Sequence, residues 1–241
     1  MHIQIYSTPG DLNRSFTVWL KAILAEKEIV TIALSGGSTP KSLFDYWAGL
    51  PEGEIDWQKM KFFWGDERCV PPTDEESNYK MTREHLLDFV PVPKDHIFRI
   101  RGENDPEKEA NRYGEILQHH LELVNGTPSF DLIMLGMGDD GHTASIFPHE
   151  MTLWDSGQNC VTASHPLSGQ KRVSLTGKVI NNARNVVFLV TGINKADKVK
   201  EIIGDPVLAA KHYPAARVQP DSGNLFWFLD ESAARKLSTG R

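Results

Sequence analysis

The 241-residue sequence predicts a single α/β domain, residues 1–241, built on a mostly parallel sheet flanked by helices. Three observations carry that prediction. Short apolar runs with strand character alternate with helix-like segments along almost the whole chain, the pattern of successive crossovers between parallel strands. Glycine-rich and charged loops fall where strand candidates end, which is where open parallel sheets hold their ligands. No linker, internal repeat or low-complexity stretch divides the chain. The proline-rich pieces Val70-Pro71-Pro72 and Val90-Pro91-Val92-Pro93 are short and read as loops.

Residues 3–7 read as a strand. Residues 11–27 read as an amphipathic helix with Phe16, Leu20, Ile23 and Leu24 on one face. The β-branched run 29–34 is a strand closed by Ser35-Gly36-Gly37. Ser38-Thr39-Pro40 then starts a helix, with Thr39 as N-cap and Pro40 at the first helical position. Residues 60–64 form a strand ending in the loop Gly65-Asp66-Glu67-Arg68, 77–89 a helix and 96–100 a short strand. Asp105-Pro106 opens a helix that runs to about Val124. Residues 130–135 are a buried strand, 161–164 a strand candidate, and 172–176 and 185–190 two more strands. A helix follows over 195–203, then a late strand over 225–229 and a final helix over 231–237.

Composition narrows the function. At 40% apolar and 24% charged residues the chain is ordinary globular protein. Its net charge of −6 argues against a nucleic-acid partner, and any anionic substrate must be met by a local cluster of cations. The two cysteines, Cys69 and Cys160, have no C-x-x-C spacing, which fits a reducing compartment and no structural zinc. Cys69 lies beside a charged loop and reads as a small semi-buried apolar residue rather than a nucleophile. The N-terminus lacks a signal-peptide pattern, and apolar runs of about eight residues are too short for a bilayer. The expectation is a cytoplasmic protein with no membrane partner.

The most informative stretch is Gly136-Met137-Gly138-Asp139-Asp140-Gly141-His142-Thr143-Ala144-Ser145. It follows a buried strand and presents two carboxylates and an imidazole within four residues. Gly136, Gly138 and Gly141 spell the dinucleotide fingerprint, but the context opposes it. Phe147-Pro148 interrupts any helix early, the next strand candidate ends at His165 rather than an acid, and Asp139 and Asp140 would repel a pyrophosphate. Asp140 and His142 have spacing that a metal allows, yet no third ligand lies nearby in sequence, so no metal is expected. His119 and His120 read as surface histidines.

Other strand ends carry the remaining candidates. Gly36, Gly37, Ser38 and Thr39 before a helix suit a phosphate or sugar cradle, or are an ordinary capped turn. The loop is not a Walker A, because Lys41 follows proline. Asp66, Glu67 and Arg68 are either a solvated charge cluster or site residues placed by the aromatic run Phe62-Phe63-Trp64. Lys195 stands at a helix start, the wrong end for a cation unless it has an anionic partner. Arg172 suits a forked phosphate contact.

Together these loops resemble the 6-phosphogluconolactonases, over most of the chain from Ser35 to about Leu229. The specific pieces are Ser35-Gly-Gly-Ser-Thr-Pro40, Trp64-Gly-Asp-Glu-Arg68 followed by Ser77-Asn78, and the Gly136 to Ser145 stretch. Arg172-Val-Ser-Leu-Thr176 and Thr191-Gly-Ile-Asn-Lys195 add to them. The resemblance implies a Rossmann-like three-layer α/β domain, a monomer or homodimer, that hydrolyses a sugar-phosphate lactone, 6-phosphoglucono-1,5-lactone, without cofactor or metal. It implies His142 as general base, with Asp140 orienting it and Asp66 holding sugar hydroxyls. Arg68 or the amides of the Gly36-Gly37 loop would meet the oxyanion, and Ser38, Thr39, Arg172 and Lys195 the phosphate. Glucosamine-6-phosphate deaminases share the glycine loop and the Asp-Gly-His core. They carry Asp-Glu-Tyr where this chain has Asp66-Glu67-Arg68, and a glutamate shortly after the histidine, where Thr143 to Pro148 here contains no acid. A non-catalytic sugar-phosphate sensor on the same fold is the other alternative.

Overall fold

The computed structural model describes residues 1–237; the last four residues of the expected 1–241 domain lie outside the described residues. In chain order the strands are β1 (His2–Tyr6), β2 (Val30–Leu34), β3 (Met60–Trp64), β4 (Asp66–Arg68), β5 (Ile97–Phe98), β6 (Glu122–Val124), β7 (Thr127–Ser129), β8 (Leu132–Leu135), β9 (Cys160–Ser164), β10 (Lys171–Leu175), β11 (Val186–Val190) and β12 (Leu225–Asp230). The helices are α1 (Pro9–Glu26), α2 (Ser38–Ala48), α3 (Asn78–Thr82), α4 (Pro106–His120), α5 (Gly177–Asn181), α6 (Ala196–Gly204), α7 (Pro206–Ala209) and α8 (Glu231–Ala234).

Seven strands form one parallel sheet in the order β1-β12-β11-β8-β2-β3-β5. Both of its faces are covered, so its central strands are continuous apolar runs such as VTIAL and VVFLV. On β12, Phe228 meets the edge of Phe16 from α1 at 5.4 Å, while Trp227 stacks on Phe188 at 4.0 Å. Neighbouring residues of a strand point to opposite faces, so the first contact fastens α1 to one face and the second ties β11 to β12 on the other. Phe16 is fully buried, and truncating such a ring to alanine costs roughly 3–5 kcal/mol.

The strand order positions the site. From β2 the chain builds outward through β3 to β5, then returns to the other side of β2 and adds β8, β11 and β12. The direction of winding therefore reverses between β2 and β8. Loops leaving the carboxyl ends of those two strands diverge and open a crevice.

A second sheet is absent from the sequence expectation. Asp66–Arg68, expected as a loop, is strand β4, and it pairs antiparallel with β10, which pairs antiparallel with β9. Gly65 is the joint between the layers. Its amide donates to Leu34 O at 2.8 Å in the large sheet, and its carbonyl accepts from Leu175 N at 2.9 Å in the small one.

Three further differences have local causes. β5 is only two residues long, so Trp64 finds no partner in it. The Tyr113 hydroxyl of α4 takes that place, accepting from Trp64 N at 2.8 Å and donating to Trp64 O at 3.0 Å. The helix expected to reach Val124 stops at His120, and β6 and β7 form a hairpin instead. Asn125 and Gly126 both have positive φ, 52° and 74°, as a type I′ turn requires. Residues 77–89 are helical only in part. α3 gives way to a wide π-type turn over Arg83–Leu87. No helix among the described residues is long and apolar enough to cross a membrane.

Candidate active site

The crevice between β2 and β8 is a cavity of about 230 Å³. Its wall includes Gly36, Gly37, Ser38, Thr39, Asp66, Arg68, His142, Arg172 and Lys195, nine of the ten residues singled out from sequence. The tenth, Asp140, stands behind His142. The structure also places Asn78, Gly138, Ala144 and Thr191 in the wall, none of them among those ten.

His142 is held by its own loop. Asp140 Oδ1 lies 2.6 Å from His142 Nδ1 and accepts the His142 amide at 3.1 Å. Burial works to raise the Asp140 pKa, but the imidazole bond, its charge and that amide outweigh it and bring the carboxyl down to about 2. Asp140 therefore stays ionised and fixes the ring with Nδ1 toward itself, which leaves Nε2 unengaged by it. Gly138 makes room for the dyad. A Cβ there would come within 2.1 Å of His142 Nδ1 and 2.7 Å of Asp140 Oδ1. The turn also forces Ala144 to φ 48°, an uncommon conformation for a non-glycine residue.

The loop after β2 differs from expectation in its cap. The helix begins at Ser38, and its N-cap is Gly37 with φ 101°, a value that favours glycine. The Thr39 hydroxyl makes no cap. It bonds the Thr191 hydroxyl across the cavity wall at 2.8 Å, tying this loop to the end of β11. Gly36 is filled by a neighbour, since a Cβ there would sit 1.9 Å from Asn78 Oδ1.

The Asp66-Glu67-Arg68 group separates into three roles. Glu67 is 2% exposed and accepts from the amides of Arg68, Asn78 and Tyr79 at 2.7–2.8 Å and from Ser77 Oγ at 3.0 Å. It closes the start of α3 and does not face the cavity. Burial raises its pKa and those donors pull the other way. Asp66 is buried and accepts from Ser145 Oγ at 2.5 Å, while Asn78 Nδ2 donates to its carbonyl at 3.0 Å. Arg68 donates from Nη1 to Glu76 O at 2.6 Å and faces Arg172 across the β4–β10 register.

Those two arginines set the electrostatics. Arg172 is 9% exposed, and neither guanidinium makes an ion pair among the described residues. The Nε of each is buried without a protein partner. Burial first, and Arg68 second, lower the Arg172 pKa, though an arginine remains charged. Lys195 differs. Its ammonium sits 2.5 Å from Asp139, which also accepts from Asn194, so the cation at the helix start has found a carboxylate. Cys69 is not activated: burial, then Glu67 and Glu109, push its thiol up to about 11. No three His, Cys, Asp or Glu side chains among the described residues group as metal ligands.

The sequence model of the family described as glucosamine-6-phosphate isomerases/6-phosphogluconolactonase matches residues 10–227. A 6-phosphogluconolactonase of Treponema pallidum is 50% identical over 183 residues, 76% of each chain. One from Haemophilus influenzae is 48% identical over 209 residues, 86% of this chain and 88% of that one. The solved 6-phosphogluconolactonase of Trypanosoma brucei superposes with a TM-score of 0.84 at 30% identity, covering 98% of both chains.

Proposed function

The chain belongs to the glucosamine-6-phosphate isomerase/6-phosphogluconolactonase family, and we propose that it hydrolyses 6-phospho-D-glucono-1,5-lactone to 6-phospho-D-gluconate in the oxidative pentose phosphate pathway. The observation that carries this reading is one cavity holding both a His142–Asp140 dyad and two arginines without carboxylate partners. The first activates water, and the second awaits an anion.

A lactone is an activated ester. Water attacks C1 while His142 Nε2 takes its proton, and the C1 carbonyl electrons move onto oxygen. Free amides at the start of α2, together with Arg68, meet that oxyanion. On collapse the ring oxygen leaves C1 and receives the proton from Nε2, opening the ring to the acid. Asp140 keeps the imidazole in the tautomer that allows both transfers. Asp66, already bonded to Ser145 and Asn78, has lone pairs left for sugar hydroxyls. Ser38, Thr39, Arg172 and Lys195 take the phosphate, with Lys195 exchanging Asp139 for it. The chemistry uses no metal, so exhaustively chelated enzyme should keep its rate. We take the enzyme to work in the cytoplasm as a monomer or homodimer.

The test is a coupled assay of lactone hydrolysis with the spontaneous rate subtracted, beside an ammonia assay on glucosamine 6-phosphate. Acceleration of the first and no ammonia from the second is expected. Ammonia release at a comparable rate would reassign the chain to the deaminases.

A further inference from the structure

Phe147 is fully buried, yet it stands outside the main apolar core. Its ring lies among one guanidinium and three imidazoles. The His142 ring lies 4.6 Å from it, centroid to centroid, and the Arg172 guanidinium 5.6 Å. His165, from the turn between β9 and β10, meets it edge-on at 5.4 Å, and His149 lies at 5.9 Å. From sequence Phe147 had only the role of interrupting a helix.

We propose that Phe147 is a positioning residue for this reaction: one aromatic body carries both the Arg172 guanidinium and the His142 imidazole and supports positive charge on each. The proposal rests on the reading that His142 is the base and Arg172 a phosphate ligand. A carboxylate beside Arg172 would stabilise the buried charge, but it would occupy the N–H donors a phosphate needs. An aromatic face attracts the cation through its quadrupole and leaves those donors free. The same holds for His142, which becomes an imidazolium as water attacks. Asp140 takes Nδ1, Phe147 packs against the ring, and Nε2 stays available.

The ring matters because burial and Arg68 disfavour charge on Arg172 more than the carboxylates of Asp66, Glu76 and Glu67 favour it. The charged and titratable groups around His142 and Phe147 are Asp140 on the same loop, His149 just beyond Phe147, His165 on the β9–β10 turn, Arg172 on β10, Asp66 and Arg68 on β4, and Lys195 before α6. Burial, and then Arg172 and His142, already hold the His165 pKa below its ordinary value. Phe147 is the group that favours the cationic form at the centre of this cluster without cancelling its charge.

Replacing Phe147 with pentafluorophenylalanine keeps the shape and reverses the quadrupole; Phe147→Tyr keeps the π face. NMR titration of the His142 ring and binding of 6-phosphogluconate or unphosphorylated gluconate both read out without turnover. In the fluorinated enzyme the His142 midpoint should move to lower pH by about 0.3–1 unit, and 6-phosphogluconate should bind about 3–10-fold more weakly. Gluconate affinity should hold, and Phe147→Tyr should titrate like the native enzyme. An unchanged midpoint and unchanged product affinity in the fluorinated enzyme would make the ring mere filling and overturn the proposal. Retained activity in His142→Gln would instead overturn the assignment of the base, and the titration separates the two failures.

Discussion

On the parallel-sheet side of the cavity each charged group has found its partner: His142 has Asp140, and Lys195 has Asp139. On the small-sheet side, Arg68 and Arg172 face each other with no carboxylate partner among the described residues. Loops with satisfied charges can present a base and exchange partners as substrate enters. Arg172 is buried and Arg68 half-buried on paired strands, so on the proposed reading this cation pair is built into a sheet and held unneutralised before substrate arrives. That arrangement costs the free protein stability and returns it on anion binding, a common balance at functional sites. The overall charge of −6 makes the device necessary, because the protein's field as a whole does not attract an anion.

The comparison breaks most sharply on the loop side. His142→Gln keeps polarity but cannot accept a proton in the working pH range, and kcat should fall by about 10²–10⁴. Gly138→Ala should approach the same loss without replacing a titrating group, because its Cβ would enter the space of His142 Nδ1 and Asp140 Oδ1. Both variants should bind 6-phosphogluconate nearly as tightly as the native enzyme, by calorimetry. If either loses product affinity in proportion to rate, chemistry and anion binding are not divided between the two sides.

A smaller effect sharpens the other half. Arg172→Met should weaken 6-phosphogluconate binding by roughly 1.5–3 kcal/mol, the size of a hydrogen bond to a charged group. Lys195→Met should cost less, because its ammonium must first leave Asp139. Thermal midpoints should diverge in the opposite sense. Removing Arg172 relieves a like-charge contact, so Arg172→Met should be at least as stable as the native protein. Equal losses of affinity in the two variants would erase the distinction between built-in and exchangeable cations.

The sequence already displayed most of this site, because each candidate sat at the end of an apolar run where a parallel sheet collects its loops. Gly36 to Thr39, Asp140, His142 and Lys195 needed only that rule. It failed for contacts made across the fold. Thr39 looks like a cap, and only its meeting with Thr191, 152 residues away, shows otherwise. Glu67 and Asp66 are adjacent in sequence, but a three-residue strand turns one toward the α3 amides and the other toward Ser145. Two strands of the small sheet, β9 and β10, are legible as 161–164 and 172–176, but β4 and the pairing are not, since a strand of three residues has no period to read. The β6–β7 hairpin has a signal in the sequence that a helix to Val124 overrides: Asn125-Gly126 is the residue pair a type I′ turn prefers. Phe147 gave no signal, because a phenylalanine before a proline is unremarkable until three imidazoles and a guanidinium are found around it.

The smallest effect concerns Asp140 as a stabilising rather than a catalytic group. Its carboxyl is lowered to about 2 in the folded protein, from an ordinary 3.8. A depressed carboxylate contributes stability that is fully present above the ordinary value and is lost as pH falls through the folded one. The side chain is 43% exposed, so solvent screens the pair, and Asp140→Asn should cost less than about 1 kcal/mol. Urea midpoints of native and Asp140→Asn protein at about pH 5 and about pH 2.5 test the sign, since the native advantage should shrink at the lower pH. The small-sheet arginines do not titrate in that range, so their repulsion is common to both measurements. A native advantage that holds steady or grows on acidification would show that His142 does not keep Asp140 ionised, and that the dyad is not the satisfied pair on which the contrast between the two sides depends.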